Sequence, residues 1–137
     1  MITEYAQLLS SAHHVTQSNI RHECMQLAYE NHPSAKWTRA SISNYVWLYS
    51  LYSNLHAEYS HRYGKSHASF INYADALSNI PKLPSRKLLP VFLAMPDYLK
   101  DPKPITFADS VERYRQYYRM HKQHLHSWKN RTPPQWI

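Results

Sequence analysis

Six cations, Arg113, Arg115, Arg119, Lys122, Lys129 and Arg131, follow one another near the C-terminus with no acid between them, interleaved with Tyr117, Tyr118, His121, His124 and His126. Lysine and arginine bind phosphate by charge neutralisation and counterion release, and aromatic or imidazole rings stack on unpaired bases. At about 100° per residue, Arg115, Arg119 and Lys122 share one helix face, and Tyr114, Tyr118 and Leu125 lie roughly 80° from it. The plain alternative is a solvated basic helix that covers a core. A second group ends a long apolar-periodic stretch: His56, Glu58, His61, Arg62, Lys65 and His67. Glu58 and His61 have the Glu-x-x-His spacing of di-metal bundles, but the second such pair and two further inward carboxylates are missing, so no metal site and no cofactor is expected. Glu58 and Arg62 at i,i+4 suit an ion pair. Arg62, Lys65 and His67 suit phosphate.

A third group, Arg39, Ser41 and Asn44, interrupts an aromatic stretch that starts at Trp37, and structural hydrogen bonding accounts for it best. His13 and His14 are adjacent, and His124 and His126 are two apart. Neither spacing converges on one face, so these are expected to be surface histidines. Cys24, with Met25, Leu27 and Ala28 nearby, is expected to pack rather than react. No serine sits in a nucleophile elbow.

These side chains need elements to hold them. The chain has 137 residues, 43% of them hydrophobic and 14% aromatic, with twelve tyrosines, ten histidines, nine prolines, one cysteine and one glycine. That length suits one compact domain. One cysteine excludes an internal disulfide framework, and the absence of an apolar run of about 18 residues excludes a spanning helix, so a cytoplasmic protein is expected. A single glycine argues against a hairpin-rich all-β fold and excludes the glycine-rich nucleotide loops. Sixteen Lys and Arg against nine Asp and Glu leave +7 with histidines neutral, which favours a polyanionic partner.

The spacing predicts an all-α protein of about five helices. A first amphipathic helix covers Ile2 to about His14. A second is expected from Ser18 or Asn19 to about Glu30, with Ile20, Cys24, Leu27 and Ala28 on one face and a stop before Pro33. Trp37, Ile42, Tyr45, Leu48, Tyr52, Leu55, Tyr59 and Tyr63 predict one long central helix of about seven turns, closed by Gly64. A shorter helix follows over His67 to Leu77. Residues 79 to 105 hold six prolines and form a pinned excursion packed by Leu88, Leu89, Val91, Phe92, Leu93 and Leu99. The last helix is expected to start with Asp109 or Ser110 as N-cap and run to about Trp128, burying Val111, Tyr114, Tyr118, Leu125 and Trp128.

The runs Glu4 to His13, Asn31 to Trp37, Asn44 to Leu48, Glu58 to Lys65, Phe92 to Asp97 and Tyr114 to Tyr118 resemble a family of small bacteriophage proteins, over nearly the whole chain. That resemblance implies a phage protein acting in the host cytoplasm and brings no particular activity. Met1 to Leu8, the size and charge, and Arg131-Thr132-Pro133 with Trp136 are more distantly similar to the pyrimidine-dimer DNA glycosylases. These are small basic all-α enzymes that flip a nucleotide and cleave its glycosidic bond, using the N-terminal amine as nucleophile and a glutamate as acid–base group. With Glu4-Tyr5 set on the Glu-Tyr of those enzymes, their arginine and catalytic glutamate fall on Ala6 and Gln7, and glutamine exchanges no proton. A shifted match gives the role to Glu4. The family pattern also has a segment before this helix, which implies a shortened form or a different start site here.

The expected function is therefore that of a phage nucleic-acid-binding protein acting on DNA, with abasic-site or glycosylase chemistry through Glu4. Arg39, Arg62, Lys65, His67, Arg115, Arg119 and Lys122 would hold phosphates, and Trp37, Tyr117 and Tyr118 would stack on an extruded base. The alternative partner is an acidic host protein bound by the same basic helix.

Overall fold

Ile2, Ala6, Leu9 and Ala12 are spaced at three or four residues, and all four are buried along one side of the first helix. That is the pattern of a helix with one apolar stripe, and it runs as α1 over Ile2–Val15. The computed structural model describes all residues from Met1 to Ile137 and is all-α, with no strand. Four further α-helices follow: α2 (Pro33–Thr38), α3 (Ile42–Tyr63), α4 (Ala68–Leu77) and α5 (Phe107–His121). Short 3-10 turns occupy Arg21–Glu23, Asp97–Leu99 and Gln123–Leu125. The chain divides into two compact units, Met1–Leu88 and Leu89–Ile137.

In the first unit, α1 packs against α2, α3 and α4. Its stripe meets Tyr45, Leu48 and Tyr52 of the 22-residue α3 and Leu77 of α4. Three tyrosines of α3, spaced at four and three residues, donate to main-chain carbonyls of α4: Tyr45 to Leu77 at 2.8 Å, Tyr49 to Ala74 at 2.9 Å and Tyr52 to Ser69 at 2.7 Å. Tyrosine suits this seam because its ring fills the core while its hydroxyl reaches a polar partner. Because Tyr45 spends its proton on Leu77, its oxygen must accept from His13 Nε2–H at 2.8 Å. His13 Nδ1 then accepts from the Ser18 hydroxyl at 2.8 Å. Histidine 13 is fully buried, which corrects its expected place on the surface.

The expected second helix does not form. Residues after the 3-10 turn are extended at Cys24, and Gln17 and Tyr29 take positive φ. Both main-chain groups of Met25 are instead held by side chains of α1: its N–H donates to Ser10 Oγ at 3.1 Å, and its carbonyl accepts from His14 Nε2 at 2.8 Å. Cys24 is half-buried, and burial pushes its thiol up to about 11, as expected of a packing residue. The helix expected to begin at Trp37 is two helices. Ser41 breaks it, turning extended and accepting from Asn44 N–H at 3.0 Å as the N-cap of α3. Gly64, at φ 65°, closes α3 where the sequence places the stop. α4 runs as expected, with His67 as its N-cap.

In the second unit, Leu93, Met95 and Leu99 pack against Tyr114 and Tyr117 of α5. Ser110 Oγ accepts from Val91 N–H at 3.0 Å and donates to Val91 O at 3.5 Å. One turn later, Tyr114 donates to Phe92 O at 2.7 Å and accepts from Ala94 N–H at 3.1 Å. Side chains of α5 thus supply the main-chain partners that the extended segment lacks. Phe92 and Leu125, expected inside, are exposed. α5 also begins earlier than expected: Thr106 is the N-cap, and Asp109 at the third helical position completes a capping box. It ends at His121, seven residues before Trp128.

Burial disfavours the His13 imidazolium, so its pKa lies below 6.5 in the folded chain, and the unfolded chain takes up the extra proton. Stability is therefore fully present above about pH 6.5 and falls as the pH drops below it. Melting temperatures measured from pH 7 to pH 5 are expected to decline in the wild type and to decline less in His13→Gln. Tyr45→Phe, which leaves the Leu77 carbonyl and one His13 nitrogen without their partner, is expected to cost about 1 to 3 kcal/mol in denaturant titrations at pH 7.

Candidate nucleic-acid interface

From Arg113 to Ile137 the chain carries six Lys or Arg and no acidic side chain. The acid that balances them is Glu112, in the second turn of α5. Glu112 Oε1 accepts from Arg119 Nη2 at 2.7 Å, and its Oε2 lies 3.8 Å from Arg115 Nη1. The hydrogen bond from Arg119 holds the Glu112 carboxyl below its ordinary range. Arg119 Nη1 donates to the main-chain carbonyl of Trp136 at 2.8 Å, and the Arg115 guanidinium lies 5.6 Å from the centre of the Trp136 ring. Two of the expected phosphate ligands therefore converge on one side of α5, with Glu112 between them and Trp136 on top. All three charged side chains keep a third or more of their surface in water, where ion pairs contribute at most about 1 kcal/mol and exchange readily for another anion.

Lys122, just past the end of α5, places Nζ 5.2 Å from the Tyr117 ring centre. Tyr117 lies edge-on to Tyr118 and tilted to His121, whose Nε2 is hydrogen-bonded to the Tyr98 hydroxyl. One cation and one aromatic ring of the expected site thus meet, Lys122 and Tyr117. Tyr117 is also half-buried against the small core of this unit, and Tyr118 is half-buried. Arg113 donates to Pro102 O at 3.1 Å and holds the proline-rich segment. Glu112 and Trp136 were absent from the expected site. Glu112 is three residues before Arg115 and seven before Arg119, so helical spacing alone places all three on one face.

In the first unit, the expected phosphate ligands separate. Arg39 caps the end of α2 and donates to Glu30 O at 2.7 Å, at the start of α3. Arg62 and Lys65 lie at its other end, about 30 Å away along a helix of this length. Arg62 forms the expected ion pair with Glu58 at 2.7 Å, and Lys65 is exposed. His67 Nδ1 accepts from Ser69 N–H at 3.2 Å, and its ring stands edge-on to Tyr59. His56 Nε2 accepts from His67 N–H at 3.2 Å, and its ring stacks on Phe70. Trp37 packs against the core edge-on to Trp47, and its carbonyl accepts from Asn44 Nδ2 at 2.8 Å. That contact makes Asn44 the structural residue expected.

Glu4 is exposed and ion-paired with the Met1 amine at 2.5 Å, which holds its carboxyl below the usual range. Thr3 and Ser69 hydroxyls meet at 2.8 Å beside it and fix the start of α1 to the start of α4. No group of three or more His, Cys, Asp or Glu is placed to hold a metal ion, and no helix is long and apolar enough to cross a membrane.

His67 is chiefly the cap of α4. His67→Ala is expected to lower stability by about 1 kcal/mol in chemical denaturation, and His67→Asn to recover most of it, because asparagine is a strong N-cap. A loss in both variants alike would mean that the ring contact with Tyr59 outweighs the cap.

Comparison with protein families, with curated proteins and with solved structures finds no match to this chain.

Proposed function

We propose that the protein binds nucleic acid, DNA in the first instance, through the cationic face of α5 and the segment after it. The observation that carries this is the run of six cations without an acidic side chain over residues 113–137, set beside half-buried aromatic rings. Arg115, Arg119 and Lys122 are the phosphate ligands, and Tyr117, with Lys122 over its ring, is the stacking group. Their present partners are exposed ion pairs and a ring contact, so a phosphate replaces them at small cost. Lys65 adds an exposed cation in the first unit, whereas Arg39 and Arg62 chiefly hold helix ends. The resemblance to small phage proteins fits a protein that meets DNA in a host cell.

A second, catalytic reading rests on the pairing of the Met1 amine with Glu4. A primary amine condenses with the aldehyde of an abasic site to form an imine and water, and a carboxylate at this distance accepts the proton the amine must lose.

Binding of labelled single-stranded and duplex DNA measured over a salt series checks the first reading. Affinity is expected to fall steeply with salt, and Lys122→Gln and Arg115→Gln are each expected to reduce the log–log slope by about 0.7 to 0.9. Absence of binding even at low salt would overturn it and turn the search to an acidic protein partner. For the second reading, borohydride is expected to trap the chain on abasic DNA; no adduct with the intact chain would remove imine chemistry.

A further inference from the structure

The C-terminal segment folds back on α5. Ile137 N–H donates to Pro134 O at 3.1 Å, closing a turn that presents the Trp136 carbonyl to Arg119 and the Trp136 ring to Arg115. An aromatic plane over one guanidinium and an oxygen acceptor on the next, one helical turn along, is the pair of contacts a nucleotide makes: base on the first, phosphate on the second. We propose that the seat of Trp136 is a nucleotide subsite, filled by the chain's own tail until an unpaired nucleotide of a single-stranded nucleic acid displaces it. The proposal rests on nucleic-acid binding by α5 and adds which residues receive the base and the phosphate.

The contacts favour exchange. The tail offers Arg119 a neutral carbonyl oxygen, whereas a phosphate offers charged oxygens that make the stronger hydrogen bond to a guanidinium. Glu112 neutralises one of the two arginines, so the open seat carries a net single positive charge, matched to one phosphate. A base laid on Arg115 must expose its face, which a paired and stacked duplex base does not do. Single strands are therefore preferred at this seat. Residues 113–137 contain no acidic side chain.

While the tail is seated, apparent affinity is reduced by the fraction of molecules whose seat is open. Trp136→Ala is thus expected to tighten binding of an oligothymidylate of about 12 nucleotides roughly three- to tenfold. Arg119→Gln in the same background is expected to cancel the gain. In the wild type, the Trp136 indole N–H resonance, identified by its loss in Trp136→Phe, is expected to move to the position of an exposed indole when the oligonucleotide saturates the protein. If Trp136→Ala binds no tighter than a wild type that itself binds, or if the indole resonance stays in place at saturation, the subsite proposal is overturned while nucleic-acid binding stands. If neither protein binds the oligonucleotide at low salt, nucleic-acid binding by α5 itself fails. The wild-type resonance decides the matter even where Trp136→Ala does not fold.

Discussion

The Tyr45 hydroxyl is the point on which the first unit depends. It accepts from His13 of α1 and donates to the last residue of α4 while its ring sits in the core of α3, so one buried oxygen joins three helices. Each partner is left with an unmet hydrogen bond if that oxygen is removed, and such a loss inside a core costs more than the bond itself contributes. With His13 neutral, the geometry admits one arrangement of protons: hydrogen on Nε2, and the Ser18 hydroxyl pointing at Nδ1. The other tyrosines of the seam extend the same device along α4, adding hydroxyl-to-carbonyl bonds to the apolar contacts between the helices. A tyrosine-rich chain thereby gains a specific helix register.

The second unit is organised by scarcity of acid. Its four carboxylates are Asp97, Asp101, Asp109 and Glu112, and three have local partners: Asp97 with Lys100, Asp109 in the cap of α5, Glu112 with two arginines. Arg113 and Arg119 also donate to main-chain carbonyls, and Arg115 and Lys122 lie against ring faces. Those are weak partners for arginine, and the proposed polyanionic ligand rests on that weakness.

Much of the fold was legible because it follows from local rules. The stripe of α1, the glycine that ends α3 and the range of α4 are set by spacing and by backbone preference. The missing helix after Ser18 shows the limit: Ile20, Cys24, Leu27 and Ala28 have helical spacing, but Ser10 and His14, more than ten residues earlier, bind both main-chain groups of Met25 and hold it extended. The break at Ser41 was legible in principle, since serine is a favoured N-cap residue, but apolar spacing that continues across it conceals it. Thr106 and Asp109 form a capping box that outranks the acid taken alone. In the candidate site, the cations were legible by type and spacing. Their engagement with Trp136 was not, because a turn after Pro134 decides it rather than any periodicity.

The start of α3 has a consequence for the order in which the first unit assembles. Ile42 N–H donates to Pro84 O at 2.9 Å, and Ser43 Oγ donates to Arg86 O at 2.7 Å. Those bonds close a loop that contains all of α3 and α4, and the segment they anchor has no regular structure of its own to form beforehand. Loop closure of this length gains nothing until the intervening helices have shortened it. Docking of residues 84–86 is accordingly expected late in folding and early in local opening. Hydrogen exchange at the Ile42 amide, which in a helix without such a strap would be fast, is the clock on which that opening is read.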